Sequence, residues 1–119
     1  MTVKIGWRGE IVDVKGNLPV VGEKAPEFFL TANDLSEIQL VDFVGQNLVL
    51  NIFPSIDTPT CATSTRRFNE ELASLNDTAV LCVSADLPYA QKRFCASEGL
   101  DRVTTASTFR STFSDDYRV

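Results

Sequence analysis

The sequence contains no histidine, and its three cysteines, Cys61, Cys82 and Cys95, are widely spaced. Zinc sites use histidines and cysteine pairs with roughly two to four residues between them, so we expect no metal and no other cofactor. The chain also lacks an apolar run near the length of about eighteen residues that a membrane helix requires. Its first residues are charged and carry no signal-peptide core. These absences predict a cytoplasmic protein with no membrane partner.

Positive charge is also scarce, because 11 lysines and arginines stand against 16 aspartates and glutamates, for a net charge of −5. Proteins that bind nucleic acids usually present a basic face, because binding it releases counterions from the phosphates, so we expect no nucleic-acid partner.

Five prolines, six glycines and 44% hydrophobic residues are typical of a folded chain. The 119 residues have the length of one domain, and an odd number of cysteines indicates reactive or buried thiols.

Strand and helix patterns alternate along most of the chain. An imperfect alternation around Gly9 predicts two short strands or a hairpin. Two aliphatic runs are typical of strands buried on both faces of a parallel sheet. In order, the predicted elements are a hairpin over Val3–Val14, a long loop with one short strand over 16–36, strands over 47–54, 79–85 and 102–108, helices over 61–75 and 86–99, and a final short helix or turn. This order indicates an α/β fold with a mostly parallel sheet.

Cys61 follows the first aliphatic run and opens the first predicted helix, at the end of the segment PSIDTPTC. Sites in α/β folds form beyond the carboxyl ends of the strands, and a helix start there favours a thiolate. An isolated cysteine is more often a small buried hydrophobe, and a threonine before a helix is more often a cap. The residues alone therefore leave Thr58 between a capping role and a role beside Cys61.

At these residues the sequence resembles a known family. Pro54, Thr58 and Cys61 fit the pattern P-x₃-T-x₂-C of the peroxiredoxins. The ordered segments LNIFPSIDTPTCATSTRRFN, LCVSADLPYAQKRFC and STFR resemble the bacterial thiol peroxidase branch, the atypical two-cysteine type. The resemblance implies a thioredoxin-like fold, with a mostly parallel or mixed central sheet flanked by helices and an N-terminal β-hairpin.

The resemblance also implies a reaction, the reduction of hydrogen peroxide or organic hydroperoxides with electrons from thioredoxin. Cys61 is then the peroxidatic nucleophile, which becomes a sulfenic acid, and Cys95 resolves it by forming a disulfide. The Thr58 hydroxyl orients the thiolate and the peroxide, and Pro54 shields the sulfenic acid from water. Cys82 lies within an aliphatic run, so we expect it to be buried and without a catalytic role. The family pairs through loops near the active site, which implies a homodimer.

One family residue has no counterpart in this sequence. An arginine that activates the thiolate lies in a later strand of the family, beyond Val119, and Arg66, Arg67 and Arg110 do not occupy its position. We therefore expect residues 1–119 to form a single thioredoxin-like domain that lacks the C-terminal strands and final helix of the family. The activity of these 119 residues alone stays open.

Two other functions remain open on the residues alone. A monothiol thioredoxin- or glutaredoxin-like reductase also carries a cysteine at this turn, although Ser64 occupies the second cysteine position of C-x-x-C. The other alternative is a redox-inert binding module, in which Cys61 is unreactive.

Because Cys61 and Cys95 both lie within predicted helices, their pairing implies that the second helix unwinds locally.

Overall fold

The structure is a computed structural model that describes residues 2–15, 18–72 and 75–119. The strands are β1 (Thr2–Trp7), β2 (Glu10–Lys15), β3 (Phe29–Ala32), β4 (Glu37–Gln39), β5 (Asn47–Ile52), β6 (Thr78–Ser84) and β7 (Thr104–Ser107). The helices are α1 (Pro59–Glu71), α2 (Pro88–Glu98) and α3 (Phe113–Tyr117), and a short 3₁₀ helix spans Leu40–Phe43. The predicted α/β class is confirmed, and the predicted strands and helices occur in the predicted order, whereas β4 and the 3₁₀ helix are not predicted.

The central sheet is mixed, with the strand order β4-β3-β7-β6-β5. β5, β6 and β7 run parallel, whereas β3 is antiparallel to both β4 and β7. Ile52, the last residue of β5, pairs with Val83 near the end of β6. The carboxyl ends of these two strands therefore lie side by side, and the turns that lead into α1 and α2 leave the same edge of the sheet.

The N-terminal hairpin forms a sheet of its own, in which Trp7 pairs with Glu10 across a two-residue turn. Arg8 and Gly9 both have positive φ, 50° and 82°. Such turns match the twist of the flanking strands and need a residue such as glycine at a left-handed position. The hairpin predicted around Gly9 is confirmed.

The two faces of β6 belong to different halves of the core. Leu81 and Val83 pack on one face with residues that include Phe113 and Tyr117 of α3. Val80 and Cys82 pack on the opposite face, toward the helix α1. β6 is thus buried on both faces, as predicted.

The same prediction is wrong for β5, the edge strand of the sheet formed by the described residues. Asn47 and Ile52 are exposed, and the residues between them are half-buried. A strand with a neighbour on one side only has fewer side chains packed over it, and an aliphatic run does not reveal its place in a sheet.

The ends of α2 agree more closely with the sequence prediction than the burial of β5 does. Pro88 is the first residue of α2, two residues after the predicted start, and Gly99, the predicted end, adopts a left-handed conformation just after the helix. α1 ends at Glu71, before the predicted end at Leu75. Predicted positions 16, 17, 73 and 74 lie outside the described residues. Within those that are described, no helix is both long and apolar enough to cross a membrane.

Candidate active site

Cys61 lies in the first turn of α1, as predicted, and its side chain is half-buried. Thr58 is the residue before the helix and Pro59 the first residue within it, where a missing N–H is tolerated. The first N–H groups of a helix have no carbonyl partner within the helix and carry partial positive charge. A thiolate at Cys61 is therefore beside groups that favour a negative charge.

The Thr58 hydroxyl does not have the capping role that the residues alone left open. It makes no capping hydrogen bond to α1 and instead donates to the carbonyl oxygen of Ser55 at 2.8 Å. The Thr58 N–H donates to the same carbonyl at 3.2 Å. The hydroxyl therefore stabilises the turn before the helix, and its lone pairs are not used in capping.

Asp86 reaches this turn from the carboxyl end of β6. Its Oδ1 accepts a hydrogen bond from the Ser55 hydroxyl at 2.8 Å, and its Oδ2 accepts one from the Ile56 N–H at 2.7 Å. The sequence predicts a helix over 86–99 that begins at Asp86, whereas α2 begins at Pro88 and the residue before it is Leu87. An acidic residue just after a strand, at the edge that holds the site, was the available signal for its position.

Cys95 lies in the second half of α2 and is half-buried. Its thiol is 3.8 Å from the Thr105 hydroxyl, which itself donates to the Asn33 side-chain oxygen at 2.7 Å. Burial raises the pKa of the Cys95 thiol above its ordinary value. In the folded helix this thiol is consequently protonated at neutral pH.

Cys82 is fully buried in the middle of β6, as predicted. The Asn51 side-chain amide donates to the Ser64 hydroxyl at 2.8 Å and lies 3.7 Å from the Cys82 sulfur. Burial raises the pKa of the Cys82 thiol as well. Neither exposure nor charge favours reaction at this cysteine.

Arg66, Arg67 and Arg110 each contact another side chain. Arg66 of α1 forms a two-bond ion pair with Glu98 at the end of α2, at 2.8 and 3.1 Å. Arg67 pairs with Glu71 one turn along α1. Arg110 lies over the ring of Phe109, 4.9 Å from its centroid. The Arg66–Glu98 pair links the helix that carries Cys61 to the helix that carries Cys95.

The structure thus brings three of the four predicted site residues onto one strand-to-helix turn. Pro54, exposed at its beginning, Thr58 and Cys61 occupy consecutive parts of this turn. Cys95 lies on the neighbouring helix, and both thiols are free. The arrangement places one half-buried thiol at a helix start and a second, protonated thiol on a neighbouring helix.

Comparison with known proteins gives consistent matches. The redoxin family model matches residues 20–119. The thiol peroxidase of Mycobacterium tuberculosis is 53% identical over 116 residues, which are 98% of this chain and 70% of that protein. The thiol peroxidase of Corynebacterium glutamicum is 52% identical over 113 residues, 95% of this chain and 68% of the relative. The crystal structure of a peroxiredoxin-like protein from Aquifex aeolicus is similar with a TM-score of 0.87 and 38% identity, covering 99% of this chain and 70% of its own.

We predict that Cys61 is the most reactive of the three thiols. It lies at a helix start, which favours a thiolate, whereas burial raises the pKa of both Cys82 and Cys95. Limiting iodoacetamide near neutral pH, followed by peptide mapping, should place most of the label on Cys61, and Cys61→Ser should remove that fast phase. Preferential labelling of Cys82 would contradict the prediction.

Proposed function

The chain belongs to the redoxin family and, within it, to the thiol peroxidases, and from this premise we propose that Cys61 is the thiol that attacks the peroxide. The protein is a thiol-dependent peroxidase that acts on a peroxide with a thioredoxin-type reductant. Relatives more than half identical carry the name thiol peroxidase, so the monothiol reductase and the inert binding module are not favoured. The observation that supports Cys61 is its position in the first turn of α1, beside Pro54 and Thr58.

In the first step the Cys61 thiolate attacks one oxygen of the peroxide, and the O–O bond breaks. The sulfur gains that oxygen and becomes a sulfenic acid, while the departing oxygen takes a proton and leaves as water or an alcohol. The N–H groups of the first turn of α1 support the negative charge that moves onto the departing oxygen. This role needs no metal and no cofactor.

Thr58 orients the peroxide in this proposal. Its hydroxyl proton is already donated to the Ser55 carbonyl oxygen, so its lone pairs are oriented to accept a hydrogen bond from the O–H of the peroxide. Pro54 begins the turn, and its ring has no N–H that could hold water at the backbone. It shields the sulfenic acid from water and from further oxidation.

Cys95 then attacks the Cys61 sulfur, a disulfide forms and the sulfenic oxygen leaves as water. A dithiol of the thioredoxin type reopens the disulfide by exchange. Since both cysteines lie within helices, this pairing needs α2 to open. The first half of α2 is held by buried Pro88 and Gln91, whereas Ser97 and Glu98 near its end are exposed. The opening therefore begins at the C-terminal half, around Cys95.

Three finer features complete the proposal. The reductant is thioredoxin itself, and the substrates are hydrogen peroxide and organic hydroperoxides. A cytoplasmic location suits an enzyme whose cycle returns its cysteines to free thiols, because that compartment keeps thiols reduced. The protein forms a homodimer through the edge that carries the site, where the apolar side chains of Leu87, Tyr89 and Phe109 are exposed.

Replacement of Thr58 by valine tests the orienting role. Valine keeps the shape of the side chain and removes the hydroxyl, so the peroxide reaction should slow roughly tenfold to a thousandfold, as for the loss of one positioned polar group. Stopped-flow measurement of the reduced enzyme with hydrogen peroxide provides the rate. Thr60→Val, on the same turn, is the control and should retain the rate. An unchanged rate in Thr58→Val would leave Thr58 with a structural role alone, and full turnover by Cys61→Ser would refute the proposed function.

Disulfide formation should accelerate as pH rises. Burial raises the pKa of the Cys95 thiol in the folded helix. The protonated thiol therefore stabilises the folded helix fully below the ordinary thiol pKa of about 8.5, and this stabilisation is lost as pH rises toward the raised pKa of the folded state.

One equivalent of peroxide and mapping without reductant should yield a Cys61–Cys95 crosslink, and hydrogen exchange over residues 92–100 should increase on oxidation. A Cys61–Cys82 peptide, or unchanged exchange, would contradict this prediction.

The Arg66–Glu98 pair supplies a matched test of the opening step. Glu98→Gln removes the charge that holds the end of α2 to α1, so disulfide formation should become about twofold to fivefold faster while the peroxide step is unchanged. Glu71→Gln is the control, because it makes the same change in an ion pair that lies wholly within α1. Equal rates in the two variants would show that the pair does not restrain α2.

Sedimentation velocity at micromolar concentration tests the dimer. We expect a dimer that Tyr89→Asp shifts toward monomer, since Tyr89 is 67% exposed at the proposed interface. Val44→Asp is the control, because Val44 is even more exposed, at 79%, but lies before the amino end of β5. A clean monomer of the unmodified protein would contradict the prediction.

A further inference from the structure

The carboxylate of Asp86 joins two segments of the chain, the turn after β5 and the end of β6. Besides the hydrogen bonds from Ser55 and Ile56, its Oδ2 accepts one from the Ser84 hydroxyl at 2.7 Å. Ser55 and Ile56 follow β5, while Ser84 is the last residue of β6. One side chain therefore fastens the turn before α1 to the strand beside it.

Asp86 is itself held in place by a buried second layer. Its backbone carbonyl accepts a hydrogen bond from the Ser107 hydroxyl at 2.5 Å. The Gln91 amide donates to the Ser84 hydroxyl and to the Ala106 carbonyl, both at 2.9 Å. Ser84, Gln91 and Ser107 are 2% exposed or less. The carboxylate thus reaches the turn from a rigid base formed by β6, β7 and the first turn of α2.

The bonds that Asp86 accepts continue toward the reactive thiol. The Ser55 hydroxyl, which donates to Asp86, also accepts the Asp57 N–H at 3.1 Å, and the Ser55 carbonyl accepts the Thr58 hydroxyl. The orientation of Thr58 therefore depends on where Asp86 holds Ser55. A hydrogen bond to a carboxylate is stronger than one between neutral groups, so Asp86 holds the Ser55 hydroxyl strongly.

We propose that Asp86 is a positioning residue for peroxide reduction, which keeps the turn from Ser55 to Thr58 in the shape that aligns peroxide with the Cys61 thiolate. This inference rests on the proposed role of Cys61. Asp86 acts through Ser55 and Thr58 and does not contact the reacting atoms. Attack on a peroxide needs an aligned O–O bond, whereas alkylation by iodoacetamide needs an accessible thiolate alone. Loss of Asp86 should therefore slow the first reaction much more than the second.

Asp86→Ala is the decisive variant. We expect its rate with hydrogen peroxide to fall about tenfold to a hundredfold, the effect of small misplacements in reacting geometry, while alkylation of Cys61 stays within about twofold. Asp86→Asn should recover most of the peroxide rate. Its amide oxygen can accept the Ile56 N–H and the Ser84 hydroxyl, and its NH₂ can donate to the Ser55 hydroxyl. If Asp86→Ala does not fold, Ser55→Ala replaces it, with the same selective loss expected on a smaller scale.

Asp34→Ala is the matched control, because Asp34 also accepts two hydrogen bonds in a turn, from Ser36 between β3 and β4. Both of its rates should equal those of the unmodified protein. An unchanged peroxide rate in Asp86→Ala, or an equal fall in both its rates, would overturn the inference. A Cys61→Ser protein that still reduces peroxide would refute the proposed function instead, so the two failures are distinguishable.

Discussion

The parallel pairing of β5 with β6 is the constraint on which the site depends. Ile52 lies opposite Val83, and the pairing continues one residue further, where the Phe53 N–H donates to the Val83 carbonyl at 3.1 Å. Because parallel strands can be joined only through a crossover, the helix that carries Cys61 must begin at the edge where β6 also ends. The turn after β6 then meets the turn after β5, and Asp86 can reach the residues that precede the thiol.

Features with a local cause could be predicted from the sequence. Gly9 marks the tight turn of the hairpin, Pro88 begins α2, and Gly99 ends it in the left-handed conformation that glycine adopts readily. The position of Cys61 follows from an aliphatic strand and a proline-containing turn that lead directly into a helix. Each of these signals lies within a few residues of the feature that it predicts, so no knowledge of the tertiary structure is needed.

Features that depend on distant parts of the chain could not be predicted in this way. β4 and the 3₁₀ helix follow the segment predicted as a loop, in a stretch for which no element is predicted. The three residues of β4 that pair with β3 are too few to leave a periodic pattern. The bonds from Ser55 and Ile56 to Asp86 join positions 31 and 30 apart. A helix that begins nearby gives a simpler account of an acidic residue at this position. The exposure of β5 follows from strand order, which an aliphatic run does not encode.

The place of β3 between β4 and β7 has a consequence for the newly made chain. β3 pairs with a strand made far later, and the bond from Thr105 to Asn33 beside it spans 72 positions. Closing so long a loop costs entropy, whereas β5, α1 and β6 are consecutive and can associate as soon as they leave the ribosome. The half that carries Cys61 can therefore assemble before β3 and β4 dock. During synthesis Cys61 can thus take its place at the start of α1 while β3 still lacks its partner β7.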